Sequence, residues 1–88
     1  MEFVYVLRSK KGEKLYFGLT KDLAQGLDEH KAGKVSATKG DGPFELVHLE
    51  SHFKKEQAEE REKVLRSDKS QELLKQIPAI NLPKWRNW

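Results

Sequence analysis

Phe3-Val4-Tyr5-Val6-Leu7 and Lys14-Leu15-Tyr16-Phe17-Gly18-Leu19 decide the fold. The first run is β-branched and aromatic on both faces, which describes a buried strand, and the second is a further apolar, aromatic run. The segment between them, residues 9–14, is polar and contains Gly12, so the two runs join into a β-hairpin.

Working outward, Thr20 stands where a hydroxyl accepts from a free amide of a first helical turn, and Asp22 suits the positive end of the helix dipole. Leu23, Leu27 and His30 then fall at i, i+4 and i+7, one stripe of a helix that runs to Ala32 and stops at Gly33. Residues 34–43 form a loop made permissive by Gly40-Asp41-Gly42. In Phe44-Glu45-Leu46-Val47-His48-Leu49 the alternation predicts a third strand with Phe44, Leu46 and His48 on one face. From Lys54 the period becomes helical. Ala58, Glu62 and Leu65 define a stripe with Val64 beside it, and Ser67-Asp68 breaks it and caps a further helix that buries Leu73, Leu74 and Ile77. The predicted class is α+β: a small three-stranded antiparallel sheet with flanking helices, in the order β-β-α-β-α-α. One domain covers residues 1–78, and residues 79–88 form a basic, aromatic tail that either folds back over the core or stacks bases.

Eighty-eight residues make a single compact core. No run approaches the ~20 apolar residues of a membrane span. The start Met1-Glu2-Phe3 lacks a basic segment and cleavage site, so no secretory signal is expected and a cytoplasmic location is. The chain has no cysteine, which excludes disulfide and thiolate chemistry. A net charge of +3 leans toward anionic partners without naming one.

Tyr5 and Tyr16 lie on adjacent hairpin strands, where their side chains can converge. Gly18, two residues beyond Tyr16, leaves room above the strand for a ligand or another backbone. Tyrosines favour strands and glycine marks bulges, so the pattern also fits a purely structural role. Glu62 is a carboxylate on an apolar stripe. Such a group either pairs with Arg61, Arg66 or a lysine, or holds a hydrated Mg²⁺. His30, also on an apolar stripe, suits phosphate contact, proton transfer or a satisfied core position. His48, Glu50 and His52 share a strand face but lack a fourth ligand, which favours a solvated edge over a metal site. Lys10, Lys11 and Lys14 crowd the hairpin turn, and Lys31, Lys34 and Lys39 flank the loop after the first helix. Together they would form a cationic rim for phosphates if the two regions meet.

As an ordered set, these residues resemble the GIY-YIG nuclease family, in particular its small bacterial stand-alone members. Phe3-Val4-Tyr5 stands for the first triplet and Tyr16-Phe17-Gly18 for the second. Thr20, Asp22-Leu23, Leu27 and His30 resemble the first-helix signature, and residues 35–49 resemble the segment that follows it. Ala58 with Arg61-Glu62 and Leu65 is similar to the metal-binding helix. The resemblance implies hydrolysis of DNA, branched or single-stranded, at one Mg²⁺ or Mn²⁺. By carry-over Glu62 ligates the metal, Tyr5 is the general base, Tyr16 positions water or phosphate, and His30 assists proton transfer. Lys14, Lys31, Lys34 and Lys39 are the expected nucleic-acid contacts. The chain departs from the family at Gly26, where an arginine is expected one turn before the histidine. Glycine supplies no donor to the scissile phosphate. The alternatives to a nuclease are a non-cutting nucleic-acid-binding or adaptor module on the same fold, and a designed or inactivated variant.

Overall fold

The computed structural model describes residues 1–10, 14–35, 38–40 and 42–80. Strands β1 (Glu2–Ser9) and β2 (Leu15–Thr20) are followed by helix α1 (Leu23–Lys31), strand β3 (Phe44–His52) and helices α2 (Lys55–Leu65) and α3 (Asp68–Leu74). The sheet order is β2-β1-β3 and both pairings are antiparallel. The predicted class and element order are what the structure shows.

β1 is apolar on both faces because it is the central strand, covered on both sides. Val4 and Val6 pack with Phe17 and Val47 against Ala58, Leu65 and Leu74, which places α2 and α3 on that face. Tyr5 and Leu7 point the other way, onto Leu27 of α1 and Phe44 and Leu46 of β3. Leu7 and Leu27 are fully buried. Truncating such a residue to alanine costs about 2–5 kcal/mol, so these two contribute strongly to holding α1 on the sheet.

Arg8 ties the far end of the molecule together. Its guanidinium donates to Glu45 Oε1 at 2.8 and 2.6 Å and to the carbonyls of Leu74 and Ile77 at 3.1 and 2.7 Å. The last turn of α3 leaves carbonyls without helical partners, and this side chain supplies them. Beyond α3, the Ile80 amide donates to the Leu46 carbonyl at 2.7 Å, returning the chain to β3.

Four local expectations are corrected. The α1 N-cap is Asp22, whose carboxylate accepts from the Gln25 amide; Thr20 instead bonds the backbone of Asp22. The register of β3 slips where Leu7 faces Leu46 and Val6 faces His48. Val47 is therefore an extra residue, and His48 leaves the face that Phe44 and Leu46 share. Val64 and Leu73 are 52% and 63% exposed, so Ala58 and Leu65 carry α2, and Leu74 with Ile77 carries the end of the chain's last helix. The space above Gly18 is filled by the Tyr5 ring. Lys11, Gly12 and Asp41, and residues 81–88 with both tryptophans, lie outside the described residues.

Candidate active site

The hairpin register sets Tyr5 opposite Gly18 and Leu7 opposite Tyr16. Both tyrosines thus project on the α1 side, Tyr16 one diagonal step from Tyr5, with ring centroids 6.3 Å apart. α1 brings His30 to them. Its ring stands edge-on to Tyr16 at 4.7 Å and to Tyr5 at 5.7 Å. Tyr5 hydroxyl and His30 Nε2 are 2.8 Å apart. On the other side of the imidazole, Nδ1 lies 2.8 Å from Thr38 Oγ1, and Thr38 donates to the Val35 carbonyl at 3.3 Å. Tyr5, His30 and Thr38 are all buried.

Burial sets the protonation states. It pushes the Tyr5 phenol well above its ordinary value, with the charges of Tyr16 and Glu29 adding to the effect. It pushes His30 down, opposed by Glu29. Near neutrality the pair is therefore a neutral phenol beside a neutral imidazole. Tyr16 is raised too, first by burial and then by the Glu62 carboxylate, with Arg66 acting in the opposite sense.

This cluster forms one wall of an open cavity of about 360 Å³, completed by Thr20, Lys21, Gln25, Gly26 and Glu29 among others. Gly26 is in close packing as well as at the cavity wall. A Cβ there would lie 3.3 Å from both Cγ2 and Oγ1 of Thr20. The glycine lets the first turns of α1 sit down on the end of β2.

Glu62 approaches from the other layer. α2 packs on the face opposite the tyrosines, β2 is an edge strand, and the Glu62 carboxylate contributes, after burial, to raising the Tyr16 phenol. Oε1 of Glu62 accepts from both Nε and Nη2 of Arg66, at 2.8 and 2.6 Å, and the Arg66 guanidinium lies 5.1 Å over the Phe17 ring. Among the described residues Oε2 has no hydrogen-bond partner. The structure thus brings Tyr5, Tyr16 and His30 into one cluster and leaves Glu62 outside the residues that line the cavity.

The lysine rim is not assembled around this cavity. Lys14, Lys31, Lys34 and Lys39 are exposed and none lines it; Lys21, which no sequence pattern singles out, does. Thr38, part of the segment that resembles the family, receives no role from the sequence, because a threonine in a loop carries no sign of the histidine it will meet. The trio His48, Glu50 and His52 finds its fourth member in a cation from α2. Glu50 accepts from Arg61 Nε at 2.8 Å and from Nη2, and bonds His48 Nε2 at 2.7 Å and His52 Nε2 at 2.9 Å. Among the described residues no group of three or more His, Cys, Asp or Glu side chains is placed to hold a metal ion. No helix among them is long and apolar enough to cross a membrane.

Comparison with known proteins identifies this architecture. The GIY-YIG catalytic domain family matches residues 1–75. The chain is 34% identical over 85 residues to the UPF0213 protein HQ_3675A of Haloquadratum walsbyi, spanning 92% of this chain and 94% of that protein. It is 41% identical over 66 residues to the UPF0213 protein NP_0776A of Natronomonas pharaonis, spanning 74% and 76%. The solution NMR structure of the UPF0213 protein BH0048 from Bacillus halodurans superposes with a TM-score of 0.51 at 33% identity, covering 84% of this chain and 82% of that one. With two tyrosines facing a helical histidine across the hairpin, and a family match over nearly its whole length, the chain belongs to the GIY-YIG family.

Proposed function

We propose that this protein is a metal-dependent endonuclease that hydrolyses DNA phosphodiester bonds, acting on branched or single-stranded DNA in the cytoplasm with one Mg²⁺ or Mn²⁺. The observation that carries the reading is the 2.8 Å contact between the Tyr5 hydroxyl and His30 Nε2 at the wall of an open cavity.

The residues present fit a divalent cation of the hydrated kind. Glu62 offers one hard oxygen, Oε2, while Arg66 occupies the other. Mg²⁺ keeps several waters and takes one or two carboxylates, so a lone glutamate is a sufficient protein anchor. Bound there, the cation would neutralise phosphate charge and acidify coordinated water.

The protein groups account for the proton. A phenol raised by burial is a poor base by itself. Tyr5, however, keeps lone pairs on its oxygen while donating to His30. As the water O–H bond breaks, a proton passes to the Tyr5 oxygen and the original Tyr5 proton passes to His30 Nε2. The product is an imidazolium, stabilised by the nearby Glu29 charge. Tyr16, also protonated at neutral pH, donates to a phosphate oxygen. Exposed Lys14, Lys31, Lys34 and Lys39 supply counter-charge to the flanking backbone.

A second reading, a non-cutting nucleic-acid-binding module, is favoured by Gly26, which offers the phosphate no donor. Labelled branched, flap and single-stranded DNA incubated with Mn²⁺, and separately with chelator, decides between them. Metal-dependent cleavage lost in Glu62→Ala supports the enzyme. Salt-sensitive binding without cleavage on any substrate supports the module.

A further inference from the structure

We infer that Thr38 is a positioning residue that fixes His30 in the Nδ1–H tautomer, so that Nε2 is the nitrogen free to take the Tyr5 proton. The catalytic consequence rests on the nuclease reading above; the tautomer does not.

Hydrogen-bond direction carries the inference. A threonine hydroxyl has one proton, and a backbone carbonyl accepts only. Thr38 Oγ1 lies 3.3 Å from the Val35 carbonyl and donates to it as a third donor beside the Thr38 and Lys39 amides. The same oxygen is 2.8 Å from His30 Nδ1, and with its proton committed it meets that nitrogen as an acceptor. Nδ1 therefore carries the hydrogen. A neutral imidazole has one N–H, which leaves Nε2 with a lone pair facing the Tyr5 hydroxyl at 2.8 Å. The opposite assignment puts Nε2–H against the Tyr5 oxygen. It leaves the Tyr5 proton with no acceptor among the described residues, so that it would have to turn to water in the cavity that Tyr5 lines.

The fold builds this contact deliberately from local parts. Ala32 caps α1, and Gly33 turns the chain back with φ +74°. The Lys34 amide donates to the Glu29 carbonyl, and the Thr38 and Lys39 amides both donate to the Val35 carbonyl. These bonds accompany Thr38, itself 3% exposed, in its place against a histidine eight residues earlier. When His30 takes the second proton, its Nδ1–H keeps the acceptor it already had. Thr38 thus serves the imidazole in both charge states without touching the substrate.

The test uses the full chain labelled with ¹⁵N at histidine, in wild type, Thr38→Val and Thr38→Ser, with folding checked by amide spectra. The expected result is a pyridine-like Nε2 in wild type and Thr38→Ser, and a shift toward Nε2–H in Thr38→Val. On a cleavable substrate, Thr38→Val lowers kcat by on the order of 10²-fold with KM little changed, and Thr38→Ser restores it. A wild-type His30 in the Nε2–H form overturns the inference, as does a Thr38→Val protein with unchanged tautomer and rate. If Thr38→Val does not fold, the wild-type and serine tautomers decide alone. A tautomer that follows Thr38 in a protein that cuts nothing upholds the positioning role and ends the nuclease reading instead.

Discussion

The Tyr5 ring lies directly over Gly18, its cross-strand partner. A Cβ built at Gly18 would sit 2.3 Å from Tyr5 Cζ and 2.5 Å from the hydroxyl oxygen. The missing side chain is what allows a phenol to lie flat across the hairpin and reach α1. The triplet Tyr16-Phe17-Gly18 is therefore two statements about one pocket: a second aromatic, and a gap for the first.

Gly18→Ala is expected to swing the Tyr5 ring out and break its bond to His30. Overpacking of this kind costs about 1–3 kcal/mol. Because the closest clash is with a ring carbon, adding Tyr5→Phe does not relieve it. Denaturant unfolding of the single and double variants measures both effects, and equal stability of Gly18→Ala and wild type refutes the packing account.

Gly26→Arg is expected to raise cleavage, by as much as the ~10²–10³ that a phosphate donor contributes. The new Cβ must first displace Thr20, whose Cγ2 and Oγ1 stand 3.3 Å away. Removing a helical glycine returns about 1 kcal/mol. Thr20→Ser, which deletes the methyl and keeps the hydroxyl bond to Asp22, should therefore improve the stability of Gly26→Arg. Initial rates on one substrate and thermal unfolding of the three variants test this. A rate for Gly26→Arg equal to that of the native chain would show that position 26 is not where the phosphate is clamped.

The low-pH limb of cleavage should lie below pH 6.5. Burial lowers His30 from that value, so the neutral imidazole that accepts a proton persists as pH falls through it. Stability runs in the same sense. Below pH 6.5 the unfolded chain binds a proton that the folded imidazole does not, so this residue costs stability as pH drops toward its folded value. Glu29→Gln removes a charge that favours the imidazolium and should move the limb further down. A pH–rate profile together with an NMR titration of His30 checks both; a limb above 6.5 contradicts the assignment.

Glu50 should make the β3–α2 contact acid-sensitive. Hydrogen bonding by Arg61 foremost, helped by His48 and His52, holds its carboxyl well below the usual carboxylate range of 4.5. A carboxylate with a depressed folded value contributes stability that is complete above its unfolded value and is lost as pH falls below it. Arg61→Ala should destabilise the protein by about 1 kcal/mol at neutral pH, since Arg61 is substantially exposed. It should also flatten the fall in stability between neutral pH and strong acid. Unfolding free energies across that range measure the slope, and parallel curves for the two proteins would remove Glu50 as the cause.

The strands, the helices and the two-layer cover of β1 follow from patterns a few residues long. Hydrophobic period and glycine placement are local, so they are legible in order along the chain. The tyrosines and His30 were legible for the same reason: each occupies a stripe whose direction the local period defines. Other features depend on distances that no period encodes. The slip of one residue at Val47 takes His48 away from the Phe44 face and hands it to Glu50 and Arg61. Val64 and Leu73 look apolar enough for a core, yet short helices with few buried positions leave them in solvent.

What the sequence by itself determined is which residues are available: two phenols on paired strands, a histidine on the covering helix, and a glycine one turn before it. Only the tertiary structure decided how they are coupled. Thr38 meets His30 because a left-handed Gly33 reverses the chain, and the Glu62 carboxylate helps to raise the Tyr16 phenol although α2 packs on the other face of the sheet. The physical reason is that hydrogen-bond direction and electrostatic reach depend on through-space geometry over a few ångströms, which distant segments create only when packed together.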